Sequence, residues 1–255
     1  MIKHLSLLIC GFLSLIILPS PVKSESPKGI ITIAAAANLN LPLNEISALY
    51  KKETGKTVTL VFSSSGNLSA QIKNGAPFDL FIAANEGFVD SLIKGNYADN
   101  GSKNIYAIGR AACAFSPKLS KKIKRLEDLL SPDVKKIAIA DPSYAPYGQA
   151  AKEALMSLGL WDKLKDKFVY GKDIQHSYSL VKSGNTEAGF IALASVKPNE
   201  VGYFLIDSKL HKPLTQALCI ISSSKNKKEA ELFSNFILGV KGKQILKKYG
   251  FDFPK

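Results

Sequence analysis

Four places in this 255-residue chain combine small or uncharged polar residues with the local signals of a helix start. They are Ala36-Ala37-Asn38, Ser63-Ser64-Ser65-Gly66-Asn67, Ala145-Pro146-Tyr147-Gly148 and Asp173-Ile174, each following an apolar run of strand length. The chemistry such places support is anion capture. The first turn of a helix leaves backbone N–H groups unpaired and carries a partial positive charge, so it is a natural seat for an anion. Uncharged donors suit a doubly charged oxyanion in particular. Burial strips the ion of its hydration at large cost, and fixed N–H and O–H groups offset that loss through charge-assisted hydrogen bonds. Fixed donors also set a radius and a tetrahedral geometry, whereas lysine acts as a mobile point charge. Each place alone reads equally as a plain helix cap, because Ser and Asn cap helices with or without a ligand. The set of four is what points to a site.

Other chemistries are thinly represented. Ser222-Ser223-Ser224-Lys225 and Ser179-Leu180-Val181-Lys182 both fit S-x-x-K, which keeps a serine hydrolase as an alternative, but S-D-N, K-T-G and G-x-S-x-G are missing. Gly66 opens a helix, yet no G-K-[ST] follows to cradle a nucleotide phosphate. No cluster of His, Cys and carboxylates has metal-ligand spacing. His176 follows closely on Ile174 and is expected at the surface beside the site; Asp79 and Asp141 are expected to accept turn N–H bonds. Cys113 and Cys219 form no C-x-x-C and are expected as two buried thiols. The net charge of +13 is spread over scattered lysines, such as Lys121-Lys122 and Lys247-Lys248. Without interleaved aromatics it reads as a solvated basic surface, with no nucleic-acid partner.

The elements that must hold the four places alternate regularly. Ile30–Ala35, Thr57–Ser63 and Phe78–Ala83 read as strands, and helices over about 42–53, 68–73 and 87–94 follow them, with Gly55, Gly75 and Gly95 as stops. The pattern then restarts. Strands are expected at 137–140, 168–170, 190–194 and 203–206, helices at 149–158 and 175–182, and one long closing helix at 227–248. Strand–helix alternation implies parallel sheets with crossovers, and ligands of such sheets sit beyond the carboxyl ends of strands. Long apolar segments near 105–115 and 216–222 suggest two lobes joined by crossing strands.

The N-terminus has the layout of a secretory leader. Lys3 and His4 precede an apolar run from Leu5 to Leu18, Pro19 and Pro21 break it, and Val22-Lys23-Ser24 fits a cut before Glu25. The run is shorter than the roughly 20 residues that span a bilayer. Cys10 lies inside it rather than at its end, so the expected product is soluble and carries no lipid.

At these residues a resemblance becomes specific. ITIAAAANL followed by FSSSGNLSAQIKNGAPFDLFIAAN resembles the first half of the periplasmic molybdate-binding proteins of ABC transporters. DPSYAPYGQAAKEAL, VKSGNTEAGFIALAS and the terminal KKYGF are similar to the second half, so the match runs over nearly all of 30–253. The resemblance implies an α/β fold of two lobes (type II), each a mostly parallel sheet flanked by helices, with residues 25–108 and 217–255 in lobe 1, 109–216 in lobe 2, and 1–24 removed. It implies molybdate or tungstate as ligand, no cofactor, no enzymatic activity, an ABC permease as partner, a monomer, and the periplasm as location. It also implies roles. Asn38 would offer side-chain and backbone donors, Ala37 its N–H, and Ser65 both O–H and N–H. Tyr147 and Ile174 would donate backbone N–H groups from the other lobe, leaving the Tyr147 hydroxyl without a part. Some members add a tyrosine hydroxyl where this chain has Ala192, which offers no side-chain donor. Composition alone does not separate molybdate from sulfate, phosphate or a small organic anion.

Overall fold

The computed structural model describes residues 30–254; the leader expected over 1–24 lies outside them. The described chain runs β1 (Ile31–Ala36), α1 (Asn40–Thr54), β2 (Val58–Ser63), α2 (Ser65–Lys73), β3 (Leu80–Ala83), α3 (Glu86–Lys94), β4 (Asn104–Gly109) and β5 (Ala111–Phe115). It continues with β6 (Ile137–Ala140), α4 (Pro146–Ser157), α5 (Trp161–Leu164), β7 (Phe168–Gly171), α6 (Ile174–Lys182), β8 (Ala188–Ala192), β9 (Gly202–Leu205), β10 (Leu214–Ile220), α7 (Lys227–Leu238) and α8 (Val240–Lys248).

Two five-stranded sheets result, ordered β2-β1-β3-β10-β4 and β7-β6-β8-β5-β9. Within the first, β1 pairs parallel with β2 and β3, while β10 pairs antiparallel with β3 and β4. Within the second, β6 pairs parallel with β7 and β8, while β5 runs antiparallel to β8 and β9. Each sheet is therefore mixed but mostly parallel, as expected, with a single strand reversed. The reversed strand in each is the one that enters directly from the other lobe. The strands ITIAAA and LFIA are buried on nearly every residue, as expected where helices cover both faces. On the first sheet, α1, α7 and α8 pack over Ile33 and Leu80, with Phe233 of α7 between them, and α2 and α3 bring Leu68 and Val89 onto Phe81 on the opposite face.

Two expected elements divide. The apolar segment 105–115 is two strands in different sheets, separated at exposed Arg110, because this is where the chain first crosses. The closing helix over 227–248 breaks at Gly239, whose backbone is extended (φ −72°, ψ 174°) and whose N–H donates to Asn235 O at 2.9 Å. An unbroken helix of that length would run about 33 Å and carry its end off the lobe. The bend lets Phe233 and Ile237 of α7 and Ile245 and Leu246 of α8 enter one core. The second crossing is also earlier than expected, since β10 begins at Leu214 rather than at Ala217. Gly55 ends α1 in the left-handed region (φ 72°), but after α3 that conformation falls to Asn96 (φ 60°) instead of Gly95.

Candidate functional site

In each sheet the outermost parallel strand and its neighbour end side by side, and each delivers the chain into a helix start. β1 and β2 lead to a 3-10 turn at Ala37–Leu39 and to α2; β6 and β7 lead to α4 and α6. The lobes face one another across these ends. One cavity is lined by Ala37, Asn38 and Ser65 from the first lobe and by Tyr147 and Ile174 from the second. All five residues singled out from the sequence thus meet in one place, with Ser64 and Ala84 beside them. The space is about 10 Å³, on the measure by which one water needs about 10–15 Å³. It suits a body of few atoms, not the organic ligands whose pockets reach about 300–1,000 Å³. No charged side chain lines it.

Local sequence explains which donors are spare. In α2, the Ser64 hydroxyl caps the helix by accepting from Asn67 N at 3.3 Å, and Gly66 N–H donates across the cleft to Tyr144 O at 2.9 Å. Ser65 N–H is left over. Its hydroxyl oxygen accepts from Ala84 N at 3.0 Å, so its one hydrogen is free to be donated. In α4, Pro146 at the first helical position has no N–H, which makes Tyr147 N–H the first available. In α6, Asp173 caps by accepting from His176 N at 2.8 Å, leaving Ile174 N–H unengaged among the described residues. The positive ends of three helices therefore converge on one uncharged, buried space.

The Tyr147 hydroxyl, given no part by the sequence reading, is engaged. It accepts from Gln216 Nε2 at 2.9 Å and from Asn38 Nδ2 at 3.4 Å. Asn38 Nδ2 also donates to Gln216 Oε1 at 3.0 Å, and the Tyr106 hydroxyl lies 2.6 Å from the same oxygen. All four side chains are buried. Burial pushes the pKa of both tyrosines above the ordinary phenol value, so both keep their protons. Sequence reasoning missed Tyr106 and Gln216. The available signal was a lone amide inside the apolar run LTQALCI, a polar group that must find partners once buried.

The remaining candidates sit elsewhere. His176 accepts from Lys172 N through Nδ1 and does not line the cavity. Ala192 is buried at the end of β8, paired with Ala111, and likewise does not line it. Asp79 accepts from Thr32 N at 2.7 Å and from the Ser224 hydroxyl at 2.6 Å, and Asp141 from Ser143 N. Lys182 of one S-x-x-K is taken up by Glu200, and the Ser179 hydroxyl by Gln175 O. Cys113 and Cys219 are free thiols in separate sheets, each pushed up to about 12 chiefly by burial. Among the described residues no group of three or more His, Cys, Asp or Glu could hold a metal ion.

Comparison with known proteins agrees with this fold. The family model for bacterial extracellular solute-binding protein matches residues 31–252. The molybdate-binding protein ModA of Rhodobacter capsulatus is 34% identical over 88% of each chain. A putative ABC transporter substrate-binding lipoprotein of Bacillus subtilis, YvgL, is 33% identical over 98% of this chain and 99% of its own. Among solved structures, the periplasmic molybdate-binding protein of Azotobacter vinelandii superposes with a TM-score of 0.84 at 30% identity, covering 88% of this chain and all of that one. A chain with these motifs, this pair of mixed sheets and these relatives belongs to the bacterial extracellular solute-binding proteins, within the family of the periplasmic molybdate-binding proteins.

Proposed function

We propose that this protein captures molybdate or tungstate in the cavity between its lobes and delivers it to an ABC permease. The observation that carries the reading is the convergence of spare, uncharged donors on one small buried space. The N–H groups of Ala37, Asn38, Ser65, Tyr147 and Ile174 and the Ser65 hydroxyl replace the water shell of a dianion. No countercharge is needed, since three helix ends supply the positive potential. Donors fixed to two sheets also hold the cavity radius, which lets the site separate oxyanions by size. The two lobes, divided at the crossings near 109 and 214, open and close about those crossings. The words extracellular and periplasmic in the names of the family and of a relative support export; in this reading residues 1–24 are removed, the product is a monomer, and no catalytic residue is required.

Isothermal titration of the mature chain against molybdate, tungstate, sulfate and phosphate tests this. One metalate is expected to bind per chain, with sulfate and phosphate much weaker. Tight sulfate binding without molybdate binding would overturn the ligand. Ser65→Ala is expected to weaken metalate binding by about 1–3 kcal/mol, the cost of leaving a buried charged acceptor one bond short. An unchanged affinity would take Ser65 out of the site.

A further inference from the structure

The buried network beside the cavity contains two carboxamides, and an amide turned end for end occupies the same atomic positions with donor and acceptor exchanged. Counting hydrogens separates the two arrangements. In the first, Asn38 Nδ2 donates to Gln216 Oε1 and toward the Tyr147 oxygen, and Gln216 Nε2 donates to the same Tyr147 oxygen. Tyr147 then faces two NH2 groups and has no acceptor in the network for its own hydrogen. Tyr106 lies 2.6 Å from Gln216 Oε1 and 3.1 Å from Ala83 O, with one hydrogen for both. Asn38 Oδ1, in a side chain 1% exposed, has no partner among the described residues. An orphaned acceptor beside the cavity would repel an anion.

Turning both amides resolves every count. Gln216 Nε2 donates to Asn38 Oδ1 and to the Tyr106 oxygen, Tyr106 donates to Ala83 O, and Tyr147 donates to Gln216 Oε1. The only group left over is Asn38 Nδ2, which is a donor. Asn38 cannot turn alone, because its Oδ1 would then meet Gln216 Oε1, another acceptor, at 3.0 Å. We propose that Gln216 is a positioning residue for the anion: held by Tyr106 and Tyr147, it fixes the Asn38 amide directly, with the Asn38 nitrogen free for the bound oxyanion, and the two amides turn together. This rests on the anion-binding reading above.

The surroundings fit a built arrangement. Gln216 is fully buried, sits at a register shift in β10, and lies where the chain has just returned to the first sheet. Gly109, the last residue before the first crossing, leaves the space the network fills, since a Cβ there would overlap the Tyr147 hydroxyl and the Gln216 amide. Both crossings therefore border the group that orients Asn38.

A double-mutant cycle read by titration calorimetry with molybdate tests the inference. Gln216→Met is expected to weaken binding about tenfold or more, and to change little when added to Asn38→Ala. Neutron diffraction from deuterated crystals of the unaltered, molybdate-bound protein should show the Asn38 deuterons directed at a metalate oxygen and the Asn38 oxygen directed at Gln216. Additive effects in the cycle, or Asn38 Oδ1 facing the metalate, would overturn the proposal while leaving the binding function intact. A mature chain that bound neither metalate would end both readings. If Gln216→Met fails to fold, the neutron result decides alone.

Discussion

Tyr147 carries two separable assignments, one for its backbone and one for its ring. The N–H follows from Pro146 and a helix start, both visible in the sequence; the hydroxyl lies between two buried amides that no local pattern announces. Removing that hydroxyl strands at least one buried amide group. Tyr147→Phe is accordingly expected to lower unfolding free energy by about 1–3 kcal/mol, measured by urea denaturation without ligand. Unchanged stability would mean that the amides repartner. The same contrast runs through the site. Ala37, Asn38, Ser65 and Ile174 were legible because donor chemistry at helix starts depends on neighbours in sequence. Gln216 and Tyr106 were not, because their partners are 178 and 110 positions away. Separation of that order is invisible to periodicity and capping rules.

Elements show a similar division between local and distant causes. Strand–helix alternation placed nearly every element, since the strands are mostly apolar and most helices carry a cap or stop. What failed was continuity. The break at Gly239 and the split at Arg110 follow from where the rest of the molecule stands, not from the residues themselves. The bend at Gly239 brings α8 back onto α1, where Glu45 accepts from Lys248 Nζ at 2.8 Å and from the Tyr249 hydroxyl at 2.8 Å. The hydrogen bond from Lys248, then that from Tyr249, holds the Glu45 carboxyl below its ordinary value of 4.5. A depressed carboxyl contributes stability that is complete above the unfolded value and is lost as pH falls through the folded one. Glu45→Gln should therefore reduce stability at neutral pH and flatten the acid limb below about pH 4.5. Stability–pH curves of both proteins measure this, and parallel curves would show that the pair adds nothing. The effect is small, because the pair is open to solvent.

For the whole molecule, closure of the lobes is expected to depend on a contact of backbone with backbone. Gly66 N–H meets Tyr144 O at 2.9 Å, and a Cβ on Gly66 would come within 2.8 Å of Tyr144 Cα. Backbone against backbone leaves nothing flexible to give way. Alanine favours the helical conformation of α2, so Gly66→Ala should leave the fold intact and hold the lobes apart. Metalate affinity is expected to fall, and small-angle X-ray scattering should show a larger radius of gyration for the variant than for the parent, both with metalate. Equal radii and equal affinities would locate the closing contact elsewhere.

The place of β10 between β3 and β4 has a consequence for synthesis. Strands β5 to β9 form a contiguous stretch and can pair as soon as they are made, but β4 has no neighbour in its sheet until the chain has grown past Leu214. A nascent polypeptide halted before that point carries an incomplete first lobe beside a second one already able to assemble. The lobe whose synthesis begins first is thus the one completed last, and the cavity between the lobes borders a sheet that is finished only near the end of chain growth.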